Sequence, residues 1–145
     1  MTFAASFAVA ILSGLVPVIN AEIYLVGVVL AVGGIPEALL LALIVALGQM
    51  VAKVFMYQAA LRATNLGKRS PRLEPKIQKA RAYVEKWRSK PLSITFVSAT
   101  IGLPPFYLVA LVAGMLEVPF RAFFVVGLVG RTLRFATIAV IAAIV

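Results

Sequence analysis

Four ionisable side chains interrupt sequence that is otherwise apolar: Glu22, Lys53, Arg131 and Arg134. Inside a bilayer each would cost at least ~2.5–3.5 kcal/mol, so each needs a partner or a task. Arg131 and Arg134 are three residues apart and share one helix face, with Gly127 and Gly130 leaving room beside them. They lie about 18 and 22 Å along that helix from Pro119. Lys53 has Gln49 four residues before it and Tyr57 four after, a polar stripe on a second helix. Three cations therefore stand against one acid. If Glu22 pairs with one of them as structural glue, at least two positive charges remain, and an anionic ligand such as a phosphate would settle the imbalance. The planar donor fork of Arg suits that chemistry. Glu37, Glu117 and Arg121 fall at expected helix ends and are read as interfacial.

Composition places these charges in a membrane. The chain is 63% hydrophobic and 13% charged, with a mean hydropathy of +1.06. A soluble domain averages roughly 45–50% apolar and about 25% charged. The net charge of +9 would suggest nucleic acid in a soluble protein. Here ten of the fourteen Lys and Arg fall between Arg62 and Lys90, so a cytoplasmic loop obeying the positive-inside rule is expected instead, and nucleic acid is not. The sequence contains no Cys and no His, and every acidic residue is Glu. That excludes disulfides, thiolate and imidazole metal sites, and Cys, His or Asp catalysis within the chain. No cofactor and no enzymatic activity are expected. The first apolar run lacks a charged leader and is read as retained structure.

The elements that must position the charges are broken ones. Gly102-Leu103-Pro104-Pro105-Phe106-Tyr107 sits within an apolar run from Pro91 to Val118. Adjacent prolines remove two backbone donors and disfavour helix in the residues before them. Gly14-Leu15-Val16-Pro17 echoes that break, and Ile23-Tyr24-Leu25-Val26 before Pro36 matches Phe106-Tyr107-Leu108-Val109 before Pro119. Broken segments in corresponding positions of two halves point to a membrane binding site. Taken as one helix, residues 3–33 would be about 46 Å long, well over a ~30 Å hydrocarbon core. Two half-helices turning near Pro17, Asn20 and Glu22 fit better.

The predicted fold is an all-α integral membrane protein, a single membrane domain over residues 1–145. It is an inverted repeat of two re-entrant helical hairpins, each followed by a transmembrane helix. The first repeat covers residues 1–62, a basic connector covers 63–90, and the second repeat covers 91–145. The first spanning helix is expected from Pro36 to about Leu61, ended by Gly67 and Pro71, and the second from Phe120 to Val145. In the connector, Leu73, Ile77, Ala80, Val84 and Trp87 fall on one helical face, with Lys76, Lys79, Arg81, Lys86 and Arg88 mainly on others. This reads as an amphipathic helix on the inner leaflet, or equally one packed on the protein's own hairpins or a second subunit. The competing topology makes each broken segment one kinked span, four crossings in all. Superposing the halves sets Gly48-Gln49 near Gly130-Arg131, so two polar faces are expected around one cavity.

These pieces resemble the DedA/VTT family of membrane proteins. Pro17-Val18-Ile19-Asn20-Ala21-Glu22 is similar to the family's proline-rich turn ending in Glu. Gly48 to Ala52 with Lys53 to Tyr57 resembles its Gly-x3-Gly-Asp-x3-Tyr helix, and residues 102–107 with Ala113-Gly114 resemble its second re-entrant loop. The resemblance implies two opposed re-entrant hairpins and translocation of lipid, undecaprenyl phosphate in bacterial members and phospholipids in eukaryotic ones. It carries the family's functional acid onto Glu22. Lys53 departs from the pattern, standing where many members have an acid, and the second loop lacks the Arg common in bacterial members.

The expected function is translocation of an anionic lipid, a polyprenyl phosphate, across the inner (cytoplasmic) membrane, with residues 62–90 cytoplasmic. Arg131 and Arg134 would bind the phosphate, with Lys53 as a third cation. Glu22 would compete for them or carry a proton, and a partner or a homodimer would close the cavity of a chain short for the family. Two rivals remain: a proton- or ion-coupled transporter of a small solute, and a non-transporting assembly protein that docks through the basic helix.

Overall fold

The structure is a computed structural model of the chain. It describes residues 2–15, 20–69, 71–72, 74–85, 89–102 and 105–145, and only the backbone of residues 67–69, 77, 80–81 and 83–84. Pro17, Pro104, Leu73, Lys86, Trp87 and Arg88, named above, lie outside the described residues. Among the described residues the chain is all helical, with seven helices in this order: α1 (Thr2–Leu15), α2 (Ala21–Val32), α3 (Ile35–Arg69), α4 (Glu74–Val84), α5 (Pro91–Ile101), α6 (Phe106–Met115) and α7 (Phe120–Ile144).

Length sorts the helices into two kinds. Helices α3 and α7, of 35 and 25 residues, are long and apolar enough to cross a membrane. Helices α1, α2, α5 and α6 have 14, 12, 11 and 10 residues. At 1.5 Å per residue they reach only ~15–21 Å, short of a ~30 Å hydrocarbon core.

Backbone chemistry explains the ends. Gly102 stops α5 in the left-handed region (φ 94°), its N–H donating to the Ser98 carbonyl at 2.8 Å. This is the common αL cap, which only Gly adopts freely. Pro105 (φ −54°) then opens α6. Gly33 and Gly34, at φ 76° and 83°, break α2 from α3.

Helix α3 runs on to Arg69, eight residues past the expected end at Leu61, and Gly67 does not stop it. One interior Gly costs only about 1 kcal/mol, and the surrounding Leu, Lys and Arg are good helix formers. Pro71, whose ring disfavours helix before it, lies just beyond the actual end. The connector does contain a helix, α4, with Lys76 and Lys79 exposed.

Helices α3 and α7 pack antiparallel at the centre. Helix α1 lies along α3 and α5 along α7, whereas α2 packs mainly on α7 and α6 on α3. The first short helix of each half thus leans on its own long helix and the second on the other half's. Close approach decides two positions. A Cβ on Gly48 would sit 2.6 Å from the Ala10 Cβ on α1, and one on Gly130 2.7 Å from the Ala99 Cβ on α5. Any larger residue would push the paired helices apart.

The interior is two apolar clusters with a polar layer between them. One joins Leu25, Val29, Leu41, Val45, Phe135 and Ala139. The other joins Met50, Tyr57, Phe106, Val109 and Phe123. Gln49, Lys53 and Arg131 fall at the boundary. The outside is apolar too: Val125, Val129, Leu133 and Ile141 form an exposed stripe on α7, and Phe55 is 61% exposed on α3. Such a surface suits lipid rather than water.

Candidate functional site

At the polar layer the ends of four short helices meet the middles of the two long ones. Asn20 begins α2 in an extended conformation, and its Oδ1 accepts from the backbone N–H groups of Glu22 (2.9 Å) and Ile23 (3.2 Å). Its amide oxygen is therefore occupied as an N-cap, satisfying donors that a helix start leaves open. Glu22 follows in the first turn, where a carboxylate is favoured by the helix dipole.

Glu22 reaches Arg134 on α7. Both Nε and Nη2 of Arg134 engage the Glu22 Oε1, and Nη1 donates to the carbonyls of Thr100 (3.0 Å) and Ile101 (2.8 Å). Those carbonyls close α5, so one guanidinium ties α7 to the end of α5 and the start of α2. A Cβ on Gly102 would lie 3.4 Å from its Nη1, so the glycine that turns the chain also leaves Arg134 its place.

Lys53 performs a parallel task in the first half. Its Nζ donates to the Gly14 carbonyl at 2.8 Å and it is only 5% exposed. A cation against the last carbonyls of α1 satisfies an open acceptor and the negative end of the helix. Gln49 Nε2 donates to the Ser13 Oγ at 3.0 Å, and Ser13 donates to the Ala10 carbonyl at 2.9 Å. Because the Ser13 proton is committed, its oxygen can only accept from Gln49, which fixes the amide's orientation.

Arg131 is different. Its Nε has no hydrogen-bond partner among the described residues, and its guanidinium stands over the Phe106 ring at 4.8 Å and near the Phe135 ring at 5.9 Å. It borders a cavity of about 470 Å³ that Lys53, Gln49, Ser13, Asn20, Glu22 and Tyr107 also line. Phe106 and Tyr107 are the first residues of α6, which has no side-chain cap. The cavity thus meets the amino ends of α2 and α6, the carboxyl end of α1 held by Lys53, the amide of Gln49 with its Oε1 unpartnered among the described residues, the cation Arg131, and one acid already bound to another cation. Electrostatically it favours an anion.

A family model for the VTT domain matches residues 2–143. The chain belongs to the VTT-domain (DedA) family. No curated protein and no solved structure matches it. With its two long apolar helices and its apolar surface, it is a membrane protein of that family.

In this VTT protein the residues singled out from sequence separate into groups. Glu22, Lys53, Gln49, Asn20, Tyr107 and Arg131 line one cavity. Arg134 sits beside it, with most of its donors spent on Glu22 and α5. Pro105 is the residue that opens α6, its carbonyl accepting from Leu108 and Val109 at 3.1 and 3.2 Å. Tyr57 lies elsewhere: its hydroxyl donates to the Val118 carbonyl and its ring stacks on Phe123 at 5.3 Å. It therefore holds α3 against the start of α7. Ser13 and Phe135 are not among the residues singled out from sequence, and Phe106 is read there only as part of the Gly102–Tyr107 break. Phe135 carries a readable signal, standing four residues after Arg131 on one helix face. Ser13 lies on another helix and carries none, and the break that contains Phe106 carries none for its contact with Arg131.

Proposed function

We propose that this VTT protein moves an anionic lipid, a polyprenyl phosphate, between the leaflets of the inner membrane. It acts as a translocase without catalysing a covalent reaction. The observation that carries the reading is Arg131, a cation at a cavity of about 470 Å³ whose nearby acid, Glu22, is already engaged by Arg134. The volume lies within the roughly 300–1,000 Å³ common for small-molecule sites, ample for a phosphate headgroup with the hydrocarbon left in lipid.

The same reading takes α1–α2 and α5–α6 as opposed re-entrant hairpins of an inverted repeat. The short reach of these helices and the exchange of packing partners between halves support it. The headgroup enters between the hairpin ends and lies on the terminal donors of Arg131, with Lys53 near it. The basic connector lies on the cytoplasmic side, where α4 meets anionic lipid, and a second copy completes the lipid-facing wall.

The test is leaflet exchange in liposomes containing the purified protein, with polyprenyl phosphate and ordinary phospholipid run in parallel. Exchange of the polyprenyl phosphate alone, falling by about 10–100-fold in Arg131→Ala as expected for loss of one charged hydrogen-bonding group, supports the reading. Equal exchange of both lipids makes the protein a scramblase. An Arg131→Ala variant of full activity removes the phosphate site.

A further inference from the structure

The Glu22–Arg134 pair is a partition. On one side is the cavity already described, to which Glu22 contributes. On the other, Arg134 lines a second recess of about 420 Å³ between α5 and α7, together with Thr100, Leu133, Thr137 and Ile138. The two spaces have no lining residue in common. They are joined through one ion pair whose side chains are 25% (Arg134) and 35% (Glu22) exposed.

Arg134 has a single N–H donor, on Nη2, left for a further ligand as it stands. Of the five N–H donors of a guanidinium, two meet Glu22 and Nη1 meets two carbonyls. An anion reaching Arg134 from the second recess must therefore replace Glu22 to gain the paired donors of the guanidinium fork. The carboxylate so released is not stranded, because Arg131 and Lys53 line the cavity on its own side. Charge is conserved by exchange: an anion leaves the Arg131 side, Glu22 takes its place there, and the anion takes Glu22's place on Arg134.

We infer that the recess between α5 and α7 is a second station for a phosphate-bearing headgroup, reached when the headgroup exchanges with Glu22 on Arg134. The inference rests on the anion reading of the first cavity and adds to it a site, a route and a counter-ion. Thr100 and Thr137 fit such a station. Each hydroxyl now donates to its own helix, to the Phe96 and Leu133 carbonyls at 2.8 Å, and turns from that carbonyl to donate to a phosphate beside the guanidinium.

The sequence contains no cysteine, so single-cysteine reporters are free of background. Leu15→Cys marks the first cavity and Thr137→Cys the second. The full-length protein in liposomes is treated with a charged methanethiosulfonate, with and without farnesyl phosphate. The expected result is protection of Leu15→Cys whether residue 22 is Glu or Gln. Thr137→Cys should be protected weakly with Glu22 present and about tenfold more strongly in Glu22→Gln, the effect of removing one competing ion pair. Adding Arg134→Gln should abolish protection at Thr137→Cys alone.

Protection at Leu15→Cys with none at Thr137→Cys in the Glu22→Gln background overturns the second station and leaves the first. A Thr137→Cys that never reacts, or that is protected equally with Glu22 present, overturns the exchange. No protection at either position removes the anion reading and this inference with it.

Discussion

The two halves of the molecule solve one problem with different chemistry. In each, a glycine on the long helix admits the first short helix at close range, and a cation about one turn later holds that helix's final carbonyls: Gly48 and Lys53 for α1, Gly130 and Arg134 for α5. The second short helices diverge. Helix α2 has an Asn20 cap and an acid in its first turn, while α6 starts on Pro105 with no capping side chain. The first half thus brings its own counter-charge, which the second half's cation consumes. The second half brings an unsaturated helix start and Arg131. Symmetric packing with asymmetric chemistry leaves a cavity of net positive character, which neither half would make alone.

Breaking the shared part should cost most. Gly48→Leu and Gly130→Leu should each destabilise the protein by about 3 kcal/mol, the upper range for overpacking, read as a fall in thermal unfolding temperature in detergent. Similar losses at both sites would support equivalence of the halves, and tolerance at one would end it. Next, Arg134→Met should cost about 2 kcal/mol, between the values for exposed and fully buried ion pairs, because it leaves Glu22 without this partner. Lys53→Met removes a single hydrogen bond from a charged group and leaves no acid behind, so it should cost about 1.5 kcal/mol, the low end for such a bond. Equal losses at Lys53 and Arg134 would refute the chemical asymmetry drawn here. Smallest, Asn20→Ala should cost about 1 kcal/mol through loss of the cap. Hydrogen exchange should place that effect in the first turn of α2, and uniform exchange across α2 would argue against a capping role.

Much of this architecture is legible in the sequence because bilayer dimensions and backbone chemistry are local. The apolar lengths of α3 and α7 give two long helices, and Gly102 and Pro105 mark a break that the backbone then makes. The end of α3 falls past the expected Leu61 because Gly67 is a weak stop and Pro71 a strong one. The charges stand out as a group, since each is anomalous in an apolar run, but their division of labour is not legible in the sequence. Arg131 and Arg134 look equivalent three residues apart on one helix. What separates them is what α2 and α5 place in front of each, the Glu22 carboxylate and the Thr100 and Ile101 carbonyls, and carbonyl partners leave no trace in side-chain pattern. Lys53 is hidden for the same reason, its partner being the backbone of Gly14.

The Glu22–Arg134 pair also spans 112 residues of chain, and this has a consequence for how the protein is made. At roughly 5–20 residues per second, the ribosome adds Arg134 about 6–22 s after Glu22. Lys53 follows Gly14 by only 39 residues, so the first half can complete its own fastening early. Glu22 must wait at the nascent chain's entry into the membrane without its eventual partner. A helix synthesised 112 residues later is the one that neutralises this acid.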